Sequence, residues 1–135
     1  IELGVAGLYV SNHGGRQLDH GRGGADVLPE VVDVVGGKAQ IIVDGGFMRG
    51  TDVVKAMALG ADAVAIGRLQ AFGMGAAGQA GVVRVLELLE TEIRICLGLL
   101  GVTGYEGLDN SYLHRDVSLT PAHVLSALPL LEEEY

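Results

Sequence analysis

The chain has 135 residues, of which 49% are hydrophobic, and a formal net charge of −8 at pH 7. This length limits it to one domain or part of one, and the apolar content predicts a folded chain rather than a disordered one. The acidic balance argues against a nucleic-acid partner, and no continuous apolar run approaches the roughly 18 residues that a transmembrane helix needs. The single cysteine, Cys96, excludes an internal disulfide.

The first predicted element is a buried strand over residues 6–10, which opens into a glycine-rich loop over residues 11–24. Loops of this length in compact domains are usually functional or mobile. The loop carries His13, whose imidazole can take up a proton near neutral pH, and Arg16, whose planar guanidinium can grip a carboxylate with two hydrogen bonds. Together they suggest proton abstraction from a small organic acid. The alternative is a structural histidine beside a tight glycine turn.

Strands and helices alternate along the next part of the chain. Apolar patterning predicts a helix over 25–35, a strand over 40–43, a helix over 51–59, a strand over 63–66 and, beyond a glycine-broken stretch at 73–81, a helix over 82–100. This alternation predicts parallel βα units, although the pattern alone also allows a doubly wound sheet. Residues 102–118 are predicted to be irregular, followed by a short helix over 120–128 and an acidic tail over 129–135.

Two later segments have the composition of a phosphate site. Gly45 and Gly46 follow a predicted strand and precede a helix, so their backbone N–H groups are open to a phosphate. Asp44, just before them, can accept a hydrogen bond from a cofactor hydroxyl. Gly67 and Arg68 end the next strand and add a close backbone approach and a cation. The alternative is that these glycines only terminate strands and that Arg68 is a surface charge.

The segment from Ser11 to Asp19 resembles the active-site signature of the FMN-dependent 2-hydroxy-acid oxidases and dehydrogenases, the family of glycolate oxidase, lactate oxidase, mandelate dehydrogenase and flavocytochrome b2. The similarity continues in the same order and spacing through residues 44–46, 50–52 and 65–68. It implies an α/β fold, the C-terminal part of a (β/α)8 TIM barrel. Residues 1–128 would supply strands six to eight of that barrel, with residues 129–135 as the tail.

The resemblance also implies a role for each matching residue. Ser11 would contact the flavin, His13 would be the catalytic base and touch the substrate, and Arg16 would bind the substrate carboxylate. The FMN site would be lined by Asp44, Gly45, Gly46, Phe47, Met48, Arg49, Gly67 and Arg68. An arginine is common in the family where this chain has Met48, and Arg49 can substitute only if its side chain reaches the same side.

The activity implied by the resemblance is FMN-dependent oxidation of an L-2-hydroxy acid to the 2-oxo acid, with His13 removing either the hydroxyl proton or the α-proton. The alternatives are another FMN-binding barrel enzyme, such as an isomerase or enoate reductase, and an inactive fragment that assembles through its strand edges. The sequence indicates neither the particular hydroxy acid nor the electron acceptor. No metal is expected, because His114 and His123 lack partners at metal-ligand spacing.

The chain begins at Ile1 without a methionine, in residues that read as the last turn of a helix, so we expect a piece of a longer polypeptide. Its expected partners are a small 2-hydroxy acid, the N-terminal remainder of the barrel and further copies in a homo-oligomer, which is a tetramer in many relatives. We expect a cytoplasmic location, with membrane association through a missing segment left open. Isolated residues 1–135 are predicted neither to bind FMN tightly nor to turn over, because the family's other active-site groups come from the first five strands.

Overall fold

The computed structural model describes residues 1–114. In chain order these contain strand β1 (Gly7–Val10), helix α1 (Gly24–Val35), strand β2 (Gln40–Val43), helix α2 (Gly50–Ala58), strand β3 (Ala63–Val64) and helix α3 (Arg68–Leu100). Short 3-10 turns occur at His13–Gly15 and Asn110–Tyr112. The helix predicted over 120–128 and the acidic tail lie outside the described residues.

The strands form one parallel sheet in the order β1-β2-β3. Val10 pairs with Val43, and Val43 pairs with Val64, so the strands end level with one another. Backbone bonds carry the ladder one residue further, because Asp44 N–H donates to the Val10 carbonyl at 3.1 Å and Ala65 N–H donates to the Val43 carbonyl at 2.9 Å. The predicted parallel βα units are therefore confirmed, and the carboxyl ends of the strands meet at one edge of the sheet.

One face of the sheet carries the hydrophobic core. Leu28 of α1 and Val43 of β2 are fully buried, and Leu8 and Val10 of β1 pack against the cluster that contains them. Tyr9 lies between these last two residues and therefore points to the opposite face, where 57% of its surface is exposed. Within residues 1–114 the helices cover one face of the sheet and leave the other open.

Helix α3 is longer than the sequence pattern predicts. The stretch predicted to be broken at 73–81 is helical except at Ala77 and Gly78, whose φ/ψ angles are −153°/27° and 57°/−136°. The kink there brings the two helical segments so close that a side-chain carbon built at Gly73 would lie 2.8 Å from the Gly81 carbonyl oxygen. The prediction of an irregular stretch is therefore wrong outside the kink itself. The glycines let two helix backbones pack closely instead of ending a helix.

The remaining differences from the predicted elements are small. Strand β3 spans Ala63–Val64 rather than 63–66, although Ile66 still packs against the core. The segment after α3 is irregular as far as it is described, apart from the turn at Asn110–Tyr112. No helix among residues 1–114 combines the length and the apolar character needed to cross a membrane.

Candidate active site at the carboxyl edge of the sheet

Every residue predicted to touch substrate or cofactor lies in one of three segments that come after the strands. Residues 11–16 follow β1, residues 44–49 follow β2 and residues 67–68 follow β3. The first two segments adjoin, because a side-chain carbon built at Gly45 would lie 4.0 Å from Asn12 Oδ1. In parallel α/β folds this edge is where ligands bind. The three segments together are named the rim below.

Local hydrogen bonds fold the first rim segment into an unusual backbone shape. His13, Gly14 and Gly15 have φ angles of 53°, 66° and 72°, in the left-handed region that favours glycine. Ser11 Oγ accepts a hydrogen bond from His13 N–H at 3.1 Å, and Asn12 Oδ1 accepts one from Gly14 N–H at 2.9 Å. The segment therefore holds an imidazole at a backbone position that residues with a side chain seldom adopt.

The imidazole of His13 is exposed and has a defined hydrogen-bond partner. Its Nδ1 lies 2.7 Å from Gln17 Oε1. An amide oxygen accepts hydrogen bonds, so this contact suits the tautomer that carries its proton on Nδ1, which leaves a lone pair on Nε2. Arg16 is also exposed, and no side-chain hydrogen bond within residues 1–114 engages its guanidinium. The same segment thus presents a basic nitrogen for a proton and a guanidinium for a carboxylate.

Asp44 has one carboxylate oxygen with a partner and one without. Tyr9 Oη donates to Asp44 Oδ2 at 3.1 Å, whereas Asp44 Oδ1 is buried and has no hydrogen-bond partner in the described part of the chain. A buried oxygen of this kind is costly, so Asp44 Oδ1 calls for a donor that residues 1–114 do not supply. The next two residues, Gly45 and Gly46, have φ angles of 103° and 84° and leave the backbone bare. These groups fit a cofactor that carries hydroxyl and phosphate groups.

The residues that follow are held by the helices. Phe47 is 7% exposed and belongs to the hydrophobic core. Met48, where the resemblance implies an arginine, donates its backbone N–H to Asp52 at 3.1 Å. The guanidinium of Arg49 binds Glu92 of α3, with Nε 2.9 Å from Oε1 and 3.0 Å from Oε2. Arg49 therefore points to α3 in this structure.

Glu92 ties the second rim segment to α3. Besides binding Arg49, its carboxylate accepts a hydrogen bond from the backbone N–H of Gly50 at 2.7 Å. The hydrogen bond from Arg49 and then that from Gly50 hold the pKa of Glu92 below its ordinary value. Gly50 is buried against α3, and a side-chain carbon built on it would lie 2.5 Å from Glu92 Cβ. These three residues form a clamp, called the Glu92 clamp below, that fixes the start of α2.

The third rim segment is the start of α3. Gly67 is the N-cap residue, with φ −107° and ψ −85°, and no side chain of the described residues caps the helix. The first N–H groups of a helix have no partner within it and attract anions. Apart from its chain neighbours, nothing in residues 1–114 lies within 4 Å of a side-chain carbon built at Gly67, and Arg68 beside it is exposed. The segment therefore fits a phosphate group.

The rim is an open surface rather than a closed pocket. A cleft of about 890 Å³ lies between α1, α2 and the end of the described chain, and it reaches Gly45 and Gly46 from the helix side. Neither His13 nor Arg16 lines this cleft, so the residues predicted to handle the substrate lie outside it. Within residues 1–114, no group of three or more His, Cys, Asp or Glu side chains is arranged to hold a metal ion.

Three residues that shape the rim were not predicted from the sequence: Tyr9, Gln17 and Glu92. The direction of the Tyr9 side chain could have been predicted from strand alternation, because its apolar neighbours in β1 face the core. Gln17 lies four residues after the histidine that it contacts. Glu92 carries no local signal, since its two partners lie 43 and 42 residues away in the sequence.

The parallel strands and the helices between them define an α/β protein. Its rim, with glycine-rich turns and a carboxylate oxygen without a partner among residues 1–114, suits a ligand that carries a phosphate group. The chain belongs to the FMN-dependent dehydrogenase family, whose sequence profile matches residues 1–115. The L-lactate oxidase of Nostoc sp. is 47% identical over 114 residues, which cover 84% of this chain and 31% of that protein. The 2-hydroxyacid oxidase 1 of Mus musculus is 44% identical over 116 residues, which cover 86% of this chain and 31% of that protein.

Solved structures give the same relationship. Mandelate oxidase with benzoyl-formic acid superposes with a TM-score of 0.77 at 47% identity, over 79% of this chain and 32% of that one. The (S)-mandelate dehydrogenase described as a monotopic membrane protein gives a TM-score of 0.79 at 42% identity, and the match covers 84% of this chain and 30% of that one. The expected family is confirmed, and the fold matches part of a TIM barrel. The chain spans about a third of the length of these relatives.

Proposed function

We propose that the chain supplies strands six to eight of a (β/α)8 barrel that binds FMN and oxidises an L-2-hydroxy acid to the 2-oxo acid. The observation that carries the proposal is the shared rim: His13 and Arg16 follow one strand, and the glycines that would hold the phosphate follow the next two. The named relatives support the substrate class, because they are oxidases or dehydrogenases of lactate, mandelate and other 2-hydroxy acids.

The substrate would be oriented by Arg16 and deprotonated by His13. A guanidinium can bind a carboxylate through two parallel hydrogen bonds, which would fix the neighbouring carbon and its hydroxyl group. Nε2 of His13 would take a proton from the substrate, with Nδ1, which lies 2.7 Å from Gln17 Oε1, donating to that amide oxygen. The imidazole would then carry a positive charge beside the oxidised product.

The cofactor would be held by the second and third rim segments. Asp44 Oδ1 would accept a hydrogen bond from a hydroxyl of the ribityl chain, and Ser11 at the end of β1 would contact the flavin. The backbone N–H groups at Gly45, Gly46 and Gly67 would face the phosphate. When bound, FMN supplies the two-electron acceptor that conversion of an alcohol carbon to a carbonyl requires.

The phosphate site would be less cationic than the family pattern implies. Met48 brings no charge, and the guanidinium of Arg49 is held by Glu92. Arg68 would therefore be the main cation for the phosphate, assisted by the N-terminus of α3. Phe47 would contribute through its backbone, because its ring belongs to the core.

The rest of the barrel would have to come from outside residues 1–135. Strands β1 and β3 are both edge strands of the sheet, and the face that carries Tyr9 is open. Five further strands would pair with those edges and cover that face. We therefore expect the isolated chain neither to bind FMN tightly nor to turn over.

The proposal is tested in a complete barrel, made by placing residues 1–135 in the matching segment of the Nostoc L-lactate oxidase; this protein is called the chimeric barrel below. His13→Gln should leave FMN bound and lower the rate of flavin reduction by L-lactate by about 10²–10⁴-fold, the usual contribution of a positioned base. His20→Gln is the matched control, because His20 is an exposed histidine of the same loop outside the rim. Retained turnover of His13→Gln with bound, reducible flavin would refute the assignment of the base.

A further inference from the structure

Tyr9 projects from the face of the sheet that the helices do not cover. Leu8 and Val10 on either side pack against the core, so strand alternation sends Tyr9 the other way. Tyr9 stands beside Ile42 in the parallel register. Its hydroxyl reaches past Ile42 to the end of β2, where it donates to Asp44 Oδ2 at 3.1 Å. The hydroxyl of Tyr9 is thus the one polar side-chain group on an otherwise apolar strand, and it is hydrogen-bonded to Asp44 of the rim.

This hydrogen bond divides the two oxygens of Asp44. Oδ2 is engaged by Tyr9, while Oδ1 is buried without a partner among residues 1–114. A carboxylate held at one oxygen loses freedom to rotate, so the direction of the other oxygen is fixed before any ligand arrives. An acceptor fixed in advance binds a donor more tightly than one that must be ordered on binding.

The bond has the character of a positioning contact. Because Tyr9 is largely exposed within the described residues, a hydrogen bond there adds little to folding in water. Desolvation, and after it the hydrogen bond to Asp44 and the charge of Asp44, raise the pKa of Tyr9 above its ordinary value of 10.0. The hydroxyl therefore stays protonated, and remains a donor, throughout the neutral range.

We propose that Tyr9 is a positioning residue for the cofactor: its hydroxyl holds Asp44 so that Oδ1 is presented to a hydroxyl group on the polyol chain of FMN. This inference rests on the proposed FMN site and adds to it a residue from the middle of the sheet. Tyr9 acts through Asp44, and we assign it no contact with the substrate.

The test compares the FMN dissociation constants of Tyr9→Phe, Asp44→Ala and the double variant of the chimeric barrel, measured by quenching of flavin fluorescence. Tyr9→Phe should weaken FMN binding about five- to tenfold, the effect of one oriented hydrogen bond. Asp44→Ala should weaken binding at least as much, and adding Tyr9→Phe to it should change nothing further. The control is Tyr105→Phe, which removes a hydroxyl from the cleft between α2 and α3 and should leave binding unchanged.

A positioning role also predicts a split between binding and turnover. Turnover of Tyr9→Phe should follow flavin occupancy, so it should fall below that of the parent protein when FMN is limiting and rise as FMN is added. Equal FMN affinity of Tyr9→Phe and the parent protein, or additive effects in the double variant, would overturn the role of Tyr9 while leaving the proposed function intact. Failure of the parent chimeric barrel to bind FMN would instead overturn the proposed function.

A second measurement tests the pair in the 135-residue chain without any cofactor. The tyrosine ring carbon that bears the hydroxyl is labelled with carbon-13, and the ionisation of Tyr9 is followed by NMR. Asp44→Ala should lower the pKa of Tyr9 toward its ordinary value, because the hydrogen bond and the negative charge that raise it are removed. An unchanged titration of Tyr9 would show that the two side chains are not coupled and would overturn the inference.

Discussion

The Glu92 clamp allows two contributions to stability to be separated. One is the ion pair with Arg49, in which the two side chains are 69% and 31% exposed for Arg49 and Glu92; pairs exposed to this degree stabilise proteins little. The other is the hydrogen bond from the backbone N–H of Gly50 at 2.7 Å. Gly50 is buried, and a buried donor left without an acceptor costs about 1–3 kcal/mol. The backbone bond should therefore dominate.

The variant Glu92→Ala should lower the free energy of unfolding of the 135-residue chain by about 2 kcal/mol, most of it from the orphaned Gly50 N–H. Glu92→Gln keeps an oxygen for that N–H, so its loss of unfolding free energy should be less than half that of Glu92→Ala. Arg49→Met removes the ion pair and keeps the backbone bond, so its loss of unfolding free energy should also be less than half that of Glu92→Ala. Urea unfolding followed by circular dichroism measures all three values, and an unchanged dependence on denaturant shows that the unfolded state is comparable.

The result that would refute this reasoning is Arg49→Met being as destabilising as Glu92→Ala, since the ion pair would then carry the stability. Acid gives an independent check. The partners of Glu92 hold its pKa below the ordinary value of 4.5, so its contribution is complete above that value and is lost as the pH falls through the lowered pKa. The difference in unfolding free energy between the parent chain and Glu92→Gln should accordingly shrink as the pH falls below about 4.5.

Two further outcomes follow from the rim and its supports. Gly50→Ala should destabilise the chain by about 1–3 kcal/mol in urea unfolding, because its side chain would meet Glu92 Cβ at 2.5 Å and Ile93 N at 2.6 Å; a neutral effect would mean that α2 and α3 separate easily. Met48→Arg in the chimeric barrel should tighten FMN binding about three- to tenfold, as expected for a charge-assisted hydrogen bond to phosphate. Met48→Leu is its control, and equal affinities of the two variants would place residue 48 away from the phosphate.

The elements that the sequence predicts well are those fixed by neighbouring residues. Strand β2 was predicted with its observed bounds, because its apolar run at 41–43 lies between glycine pairs at 36–37 and 45–46. The three rim segments were also predicted, since glycines and polar residues follow each strand directly. Parallel pairing then brings these segments together without further information from the sequence.

What the sequence pattern misses depends on contacts across the fold. Gly73 and Gly81 read as helix breakers, yet they serve the close approach of two helical segments, which becomes visible only once the kink at Gly78 is known. The commitment of Arg49 to Glu92 was missed for the same reason, because α3 supplies the partner from 43 residues away. A motif gives the type of side chain at a position and not the direction in which that side chain points.

The left-handed backbone at His13 places a double constraint on one position in the sequence. The proposed role in catalysis would need a side chain that can gain and release a proton near neutral pH, while a φ of 53° penalises branched and bulky residues. Glycine would satisfy the backbone and abolish the chemistry, whereas valine would satisfy neither. In the proposed enzyme, few side chains other than histidine would meet both requirements at this position.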